Sequence, residues 1–169
     1  TVDALMTQRE VAAAVVRKKG DYVMALKENQ GTLYEDVQLY FSSIQEGMSC
    51  ARSLEKNRGR VETRTCKMAS AAWLESRNAW AELKGLFKID SEIYYEGKIT
   101  QESRYYITSL EVGALELLDI ARKHWSIENV LHRSLDVVFR EDAAQEHDRN
   151  AAANLSILRK VALSLLKAV

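Results

Sequence analysis

Apolar residues recur along this chain at two spacings, and the switches between them mark out the predicted elements. After Thr7-x-x-Glu10, a capping-box pattern, Val11, Val15 and Val16 follow at helical spacing, and Gly20 stands where a helix would stop. Residues 7 to 19 are therefore predicted helical. Asp21 to Lys27 is short, apolar and rich in strand formers, while Val2 and Asp3 read as the tail of an earlier strand. Strand, helix and strand in that order predict a right-handed crossover, and so a parallel sheet near the start. Thr32-x-x-Glu35 is a second capping box. Leu33, Val37, Tyr40, Phe41 and Ile44 behind it form one buried stripe, which predicts a helix over 32 to 45.

Between Gln45 and Asn57 the periodicity fails. Beyond it, Arg60 to Met68 alternates weakly, and Leu86 to Tyr95 and Ile99 to Thr108 alternate clearly, with Phe87, Ile89, Ile93 and Tyr95 on one face. Glu96-Gly97-Lys98 fits a hairpin turn, so this middle section is predicted antiparallel. Trp73, Leu74 and Trp80 are predicted on a short helix or turn that covers the sheet. From Ala114 the helical period returns in Leu117, Leu118, Ala121, Trp125, Glu128, Leu131 and Leu135, predicting a long helix to about Leu135. A polar stretch interrupts, and a last helix is expected with Ala151, Leu155, Leu158, Ala162 and Leu165 toward the core. The fold class is thus α/β in the mixed α+β sense.

Composition narrows the partners. Hydrophobic residues make up 47% and charged residues 28% of 169, enough apolar material for a real core, which excludes disordered and fibrous classes. No apolar run approaches the roughly 20 residues a bilayer requires, and no basic-then-apolar leader opens the chain, so a cytoplasmic location without membrane contact is expected. Cys50 and Cys66 lack metal or redox spacing and are read as reduced and structural. Lys plus Arg equals Asp plus Glu, which argues mildly against a polyanionic partner. The distribution is uneven, however. Between Ala51 and Lys67 the cations Arg52, Lys56, Arg58, Arg60, Arg64 and Lys67 face only Glu55 and Glu62, making this the best phosphate-facing segment or, equally, a solvated loop and strand.

Candidate chemistry gathers around Glu128. His124, Glu128, His132 and Asp136 stand four apart on the predicted helix, beside its apolar stripe. A carboxylate there would cost several kcal/mol to desolvate unless a cation met it. Three partners remain open: an intrahelical histidine, a zinc ion on His124, Glu128 and His132, or a hard divalent cation shared with a distant acid. Asp3, at the C-terminal end of a predicted strand, could be that acid, since α/β sheets build sites at this edge.

The wording of the sequence then carries a resemblance. Arg122-x-His124-Trp125-x-Ile127-Glu128-Asn129-x-Leu131-His132-x-x-Leu135-Asp136-Val137-x-Phe139-Arg140-Glu141-Asp142 resembles the signature of the H-repeat-associated group of bacterial insertion-sequence DDE transposases. Thr1-Val2-Asp3-Ala4, Asp21-Tyr22-Val23-x-Ala25-Leu26-Lys27-x-Asn29-Gln30, Gly59-Arg60-Val61-Glu62-Thr63-Arg64, Arg104-Tyr105-Tyr106-Ile107 and Asn154-Leu155-x-x-Leu158-Arg159-Lys160 support it, so it spans nearly the whole chain.

The resemblance implies a partial RNase H-like core, residues 1–45 and 108–169, with an antiparallel β insertion at 46–107 and C-terminal helices. It matches Asp3 to the second Asp and Glu128 to the Glu of the catalytic triad, both ligands of Mg2+ (or Mn2+). Double-stranded DNA, as transposon ends and target, is the implied partner, and the full-length protein is expected to form a homodimer. Lys27, Asn29, Arg60, Arg64, Arg122, His124 and His132 become candidate DNA contacts, against fold-supporting roles for the same residues. The first Asp is expected upstream of Thr1, so the chain is expected to be inactive alone. Where the wider superfamily has Tyr, Arg and Lys around the Glu, this chain has Ala121, His124 and Leu135. Arg133 replaces an aromatic residue common in the closer group, which keeps open a second reading: a degenerate remnant that binds DNA or a partner without catalysis.

Overall fold

The computed structural model describes residues 1, 4–43, 48–57, 59–126, 135, 137–139 and 148–167. They fall into two compact units, Thr1–Ile120 and Ala121–Val169. After a 3-10 turn at Ala4–Met6 come α1 (Arg9–Arg17), β1 (Val23–Leu26), a 3-10 turn at Glu28–Gln30 and α2 (Gly31–Ser43). Four long strands follow: β2 (Ser49–Asn57), β3 (Arg60–Ser70), β4 (Gly85–Tyr95) and β5 (Lys98–Thr108). Among the described residues the chain then continues as α3 (Ala114–Ser126) and α4 (Arg149–Lys167).

Mixed α/β character is as expected, but neither capping box caps its helix. The Thr7 side chain is fully buried and its hydroxyl donates to the Ala25 carbonyl at 2.7 Å, so it ties the chain to β1 while Gln8 precedes the helix without a side-chain cap. The α2 helix is entered directly from the 3-10 turn, which leaves Thr32 inside it. At the end of α1 the left-handed residue is Lys19 (φ 59) rather than Gly20. The Gly20 and Lys19 amides donate to the Val15 and Val16 carbonyls at 3.1 and 2.8 Å, a Schellman closure shifted by one residue.

The five strands form one sheet in the order β1-β5-β4-β3-β2, and every pairing among the described residues is antiparallel. Val2 and Asp3, the expected parallel neighbour of β1, lie outside the described residues. Strand β1 pairs with β5, and a polar knot secures the join. Tyr22 N–H donates to Ser109 Oγ (2.9 Å), while Thr108 Oγ1 donates to the Tyr22 carbonyl (2.8 Å) and accepts from Leu110 N–H (3.0 Å). Burial, and secondarily nearby Glu82, pushes the Tyr22 phenol above its ordinary value; its hydroxyl donates to the Ala81 carbonyl.

The hydrophobic pattern does not foreshadow β2. It is a sheet edge among the described residues, with alternate residues only half-buried, so it offers no apolar rhythm to read. The other three long strands and the turn at Glu96-Gly97 match expectation; positive φ at both residues (49 and 78) gives the two-residue turn whose twist suits a hairpin.

One face of the sheet, with Met24, Leu26, Ala69, Leu86, Tyr105 and Ile107, packs with Ala12 of α1 and Leu33, Val37 and Phe41 of α2. Leu74 and Trp80 are buried in the same cluster, as predicted, whereas Trp73 is partly exposed and stacks on Tyr40 at 4.3 Å. On the opposite face Cys66, Phe87, Ile89 and Tyr106 are also buried, the last with its ring stacked on Phe87 at 4.6 Å. Cys50 is exposed, so only Cys66 is a core thiol.

In the second unit Asp148 caps α4 by accepting from the Asn150 and Ala151 amides at 2.9 and 2.8 Å. Leu163 is its buried leucine, while Leu155, Leu158 and Leu165 of the predicted core side are exposed. The helical period holds, and Ala151 and Ala162 of that side are half-buried. No helix among the described residues is long and apolar enough to cross a membrane.

Candidate active site

Both acids assigned to the metal centre, Asp3 and Glu128, lie outside the described residues, as does His132. What is described is the scaffold next to Asp3 in the chain. Ala4 is buried, and its carbonyl accepts from the Asn29 amide Nδ2 at 2.6 Å. Gln30 Nε2 donates to the Thr7 carbonyl at 2.9 Å, and Thr7 in turn donates to Ala25. Asn29 and Gln30 reach this turn because β1 ends at Leu26 and the 3-10 turn at Glu28–Gln30 bends the chain beside it. Three hydrogen bonds from two segments thus fasten Ala4–Thr7 to the C-terminal end of β1.

This clamp gives Asn29 a defined structural role, since its amide is held on the Ala4 carbonyl. Sequence spacing alone does not single out Thr7 or Gln30 for the site, although Gln30 stands beside Asn29 in the segment that carries the resemblance and Thr7 has the pattern of a cap. Their signal is that of polar residues flanking short apolar runs, and nothing in the spacing says which carbonyl each would meet. Lys27, between β1 and the turn, is exposed.

Arg60 opens β3 and Arg64 lies four residues further, both on the sheet face opposite α1 and α2. Arg64 donates to Glu55 at 3.0 Å and pairs with Glu62 at 2.8 Å, with its own side chain only 11% exposed; Arg60 donates to the other Glu62 oxygen at 2.9 Å. Glu55 and Glu62 are direct cross-strand neighbours, an arrangement of like charges that would repel without the guanidinium between them. Arg122 and His124, half-buried toward the end of α3, stand two residues apart and so on different sides of the helix. Among the described residues no group of three or more His, Cys, Asp or Glu is placed to hold a metal.

The family model described as "Transposase DDE domain" matches residues 1–165. This chain belongs to the DDE transposase family. It is similar to the protein named "Putative transposase YncI" of Escherichia coli O157:H7, with 36% identity over 99% of this chain and 45% of that protein. It is also similar to the "H repeat-associated putative transposase YhhI" of Escherichia coli K12, at 32% identity over 98% of this chain and 46% of the relative. The chain spans about half the length of these relatives. No solved structure matches it.

Proposed function

We propose that this chain is the part of a DDE transposase that carries the second and third acids of the metal centre, Asp3 and Glu128, and acts on double-stranded DNA. In this reading residues 1–45 and 108–169 belong to an RNase H-like core and 46–107 to its β insertion. The observation that carries the reading is the clamp on Ala4–Thr7. Ala4, which follows Asp3 in the sequence, has its carbonyl held by Asn29, and Thr7 is tied to Gln30 and to Ala25, fixed support of the kind a metal-binding acid requires beside it in the chain.

Two carboxylates form a donor set suited to a hard oxygen-seeking cation such as Mg2+ or Mn2+. Bound there, the ion supplies activation of water, and then of a 3′-hydroxyl, for attack on a phosphodiester, and offsets the charge that develops. The chain itself holds the acids and aligns the DNA; Lys27, Arg122, His124 and His132 remain candidate backbone contacts. With two acids of the three, the chain by itself does not cleave DNA, and cleavage belongs to a full-length homodimer.

Crystals grown with Mn2+ test this. Anomalous scattering is expected between the Asp3 and Glu128 carboxylates, which should lie within about 4 to 8 Å of each other, a range set by paired metals roughly 3.5 to 4 Å apart. The peak should vanish in Asp3→Asn. Carboxylates on opposite faces of the protein, or Mn2+-dependent strand cleavage by the isolated chain that survives Glu128→Gln, would overturn the assignment.

A further inference from the structure

The local cation surplus at 51–67 separates onto the two faces of the sheet. Residues paired across a ladder share a face, and successive residues of a strand do not. On the face opposite α1 and α2, Arg60 and Arg64 stand with Glu55 and Glu62 in one network of ion pairs. On the other face lie Arg52 and Lys56 of β2 and Lys67 of β3, the last opposite Cys50 and on the same side as Tyr105 of the core. Within β2 and β3 this second face carries no carboxylate, and the three cations make no ion pair among the described residues. Thr63 and Thr65, paired with Leu54 and Arg52, add hydroxyls between them. The neighbouring strand bounds the strip on the same face: Asp90, beside Thr65, is balanced by Lys88 at 2.8 Å, and Glu92, beside Thr63, accepts from Gln101 and keeps its charge.

We infer that Lys67, Arg52 and Lys56 form a track for the phosphate backbone of duplex DNA along the β2–β3 edge, and that Arg60 and Arg64 hold the arm together from behind. The inference rests on the DNA partner of the proposed function and names where the arm meets it. Two-residue steps of about 6.6 Å along a strand place the three cations over roughly 20 Å, the axial length of about six phosphates on one DNA strand. Charge complementarity argues for a polyanion here, since the strip is positive along its length and the carboxylates of β2 and β3 are engaged on the opposite face.

The test is duplex binding by the whole 169-residue chain, read as fluorescence anisotropy of a labelled duplex of about 30 base pairs over about 50 to 200 mM NaCl. Each phosphate contact contributes about 0.9 to the slope of log affinity against log salt. Arg52→Gln/Lys56→Gln/Lys67→Gln should lower that slope by about 2 to 3, removing about 40-fold of the salt-induced loss of affinity over this range. The Arg60→Gln variant should keep the wild-type slope, and the triple variant should unfold at the wild-type urea concentration. An unchanged slope in the triple variant, or an equal fall in Arg60→Gln, overturns the track and leaves the DNA partner standing. A wild-type chain that shows no duplex binding removes both.

Discussion

Replacing Arg64 by Leu separates a structural arginine from a DNA-contacting one. In the native sheet its guanidinium forks between Glu55 at 3.0 Å and Glu62 at 2.8 Å, and the two carboxylates are each other's cross-strand partners. Taking the arginine away leaves two like charges about 6 Å apart, a repulsion between about 0.7 kcal/mol at the dielectric of water and about 3 kcal/mol at an effective dielectric near 20. Glu55 is 40% exposed, which pulls the value down; Glu62 is only 13% exposed, which pushes it up, and Arg60 still offsets part of its charge. A charge-assisted hydrogen bond to Glu55 and an ion pair with Glu62 are lost as well, so a net destabilisation of about 2 to 3 kcal/mol is expected. With a slope near 2 kcal/mol per molar urea, the midpoint should fall by about 1 to 1.5 M, followed by tryptophan fluorescence. Adding Glu55→Gln should recover about 1 kcal/mol, because it removes half of the repelling pair. The salt dependence of duplex binding should not move. An Arg64→Leu chain that unfolds at the wild-type urea concentration yet loses about one unit of salt slope would refute the reasoning, because Arg64 would then be facing phosphate.

Thr108→Val should cost about 1 to 2 kcal/mol in urea unfolding, since it leaves the Leu110 amide without its acceptor and takes one donor from the Tyr22 carbonyl, while Thr108→Ser should lose much less. Cysteine chemistry should divide by sheet face: Cys50 reacts with a thiol reagent in the native protein, and Cys66 reacts only on unfolding, because burial, with Cys50 adding to it, pushes its thiol up to about 12. A thiol raised in the folded state stabilises below the unfolded value near 9.0 and loses that contribution as pH rises toward about 12, so Cys66→Ala should flatten the alkaline fall in stability across that window. Rapid native labelling of both thiols would contradict the burial of Cys66.

Where burial is one-sided and regular, the elements are legible. The α2 stripe of Leu33, Val37 and Phe41 comes through because each apolar residue has a fixed facing direction, whereas β4 and β5, buried on both faces toward Gly85 and Thr108, are marked by their strand formers and by the Glu96-Gly97 turn. Short polar residues are ambiguous, because Thr7 can cap a helix or cross to a strand with the same hydroxyl, and only the nearby Ala25 carbonyl decides between them. The β2 strand stays hidden because ladder hydrogen bonds, supplied by β3, hold it without an apolar pattern of its own.

The order and type of most elements and the family are properties of the linear sequence, since local spacing and a long residue-by-residue likeness need no partner in space. Which cations balance which carboxylates cannot be read that way. In the 51–67 segment the charge count is the same whichever residues pair, but strand register sends odd and even positions to opposite faces. That register sets Arg60 and Arg64 against Glu55 and Glu62 and leaves Arg52, Lys56 and Lys67 together on the other side.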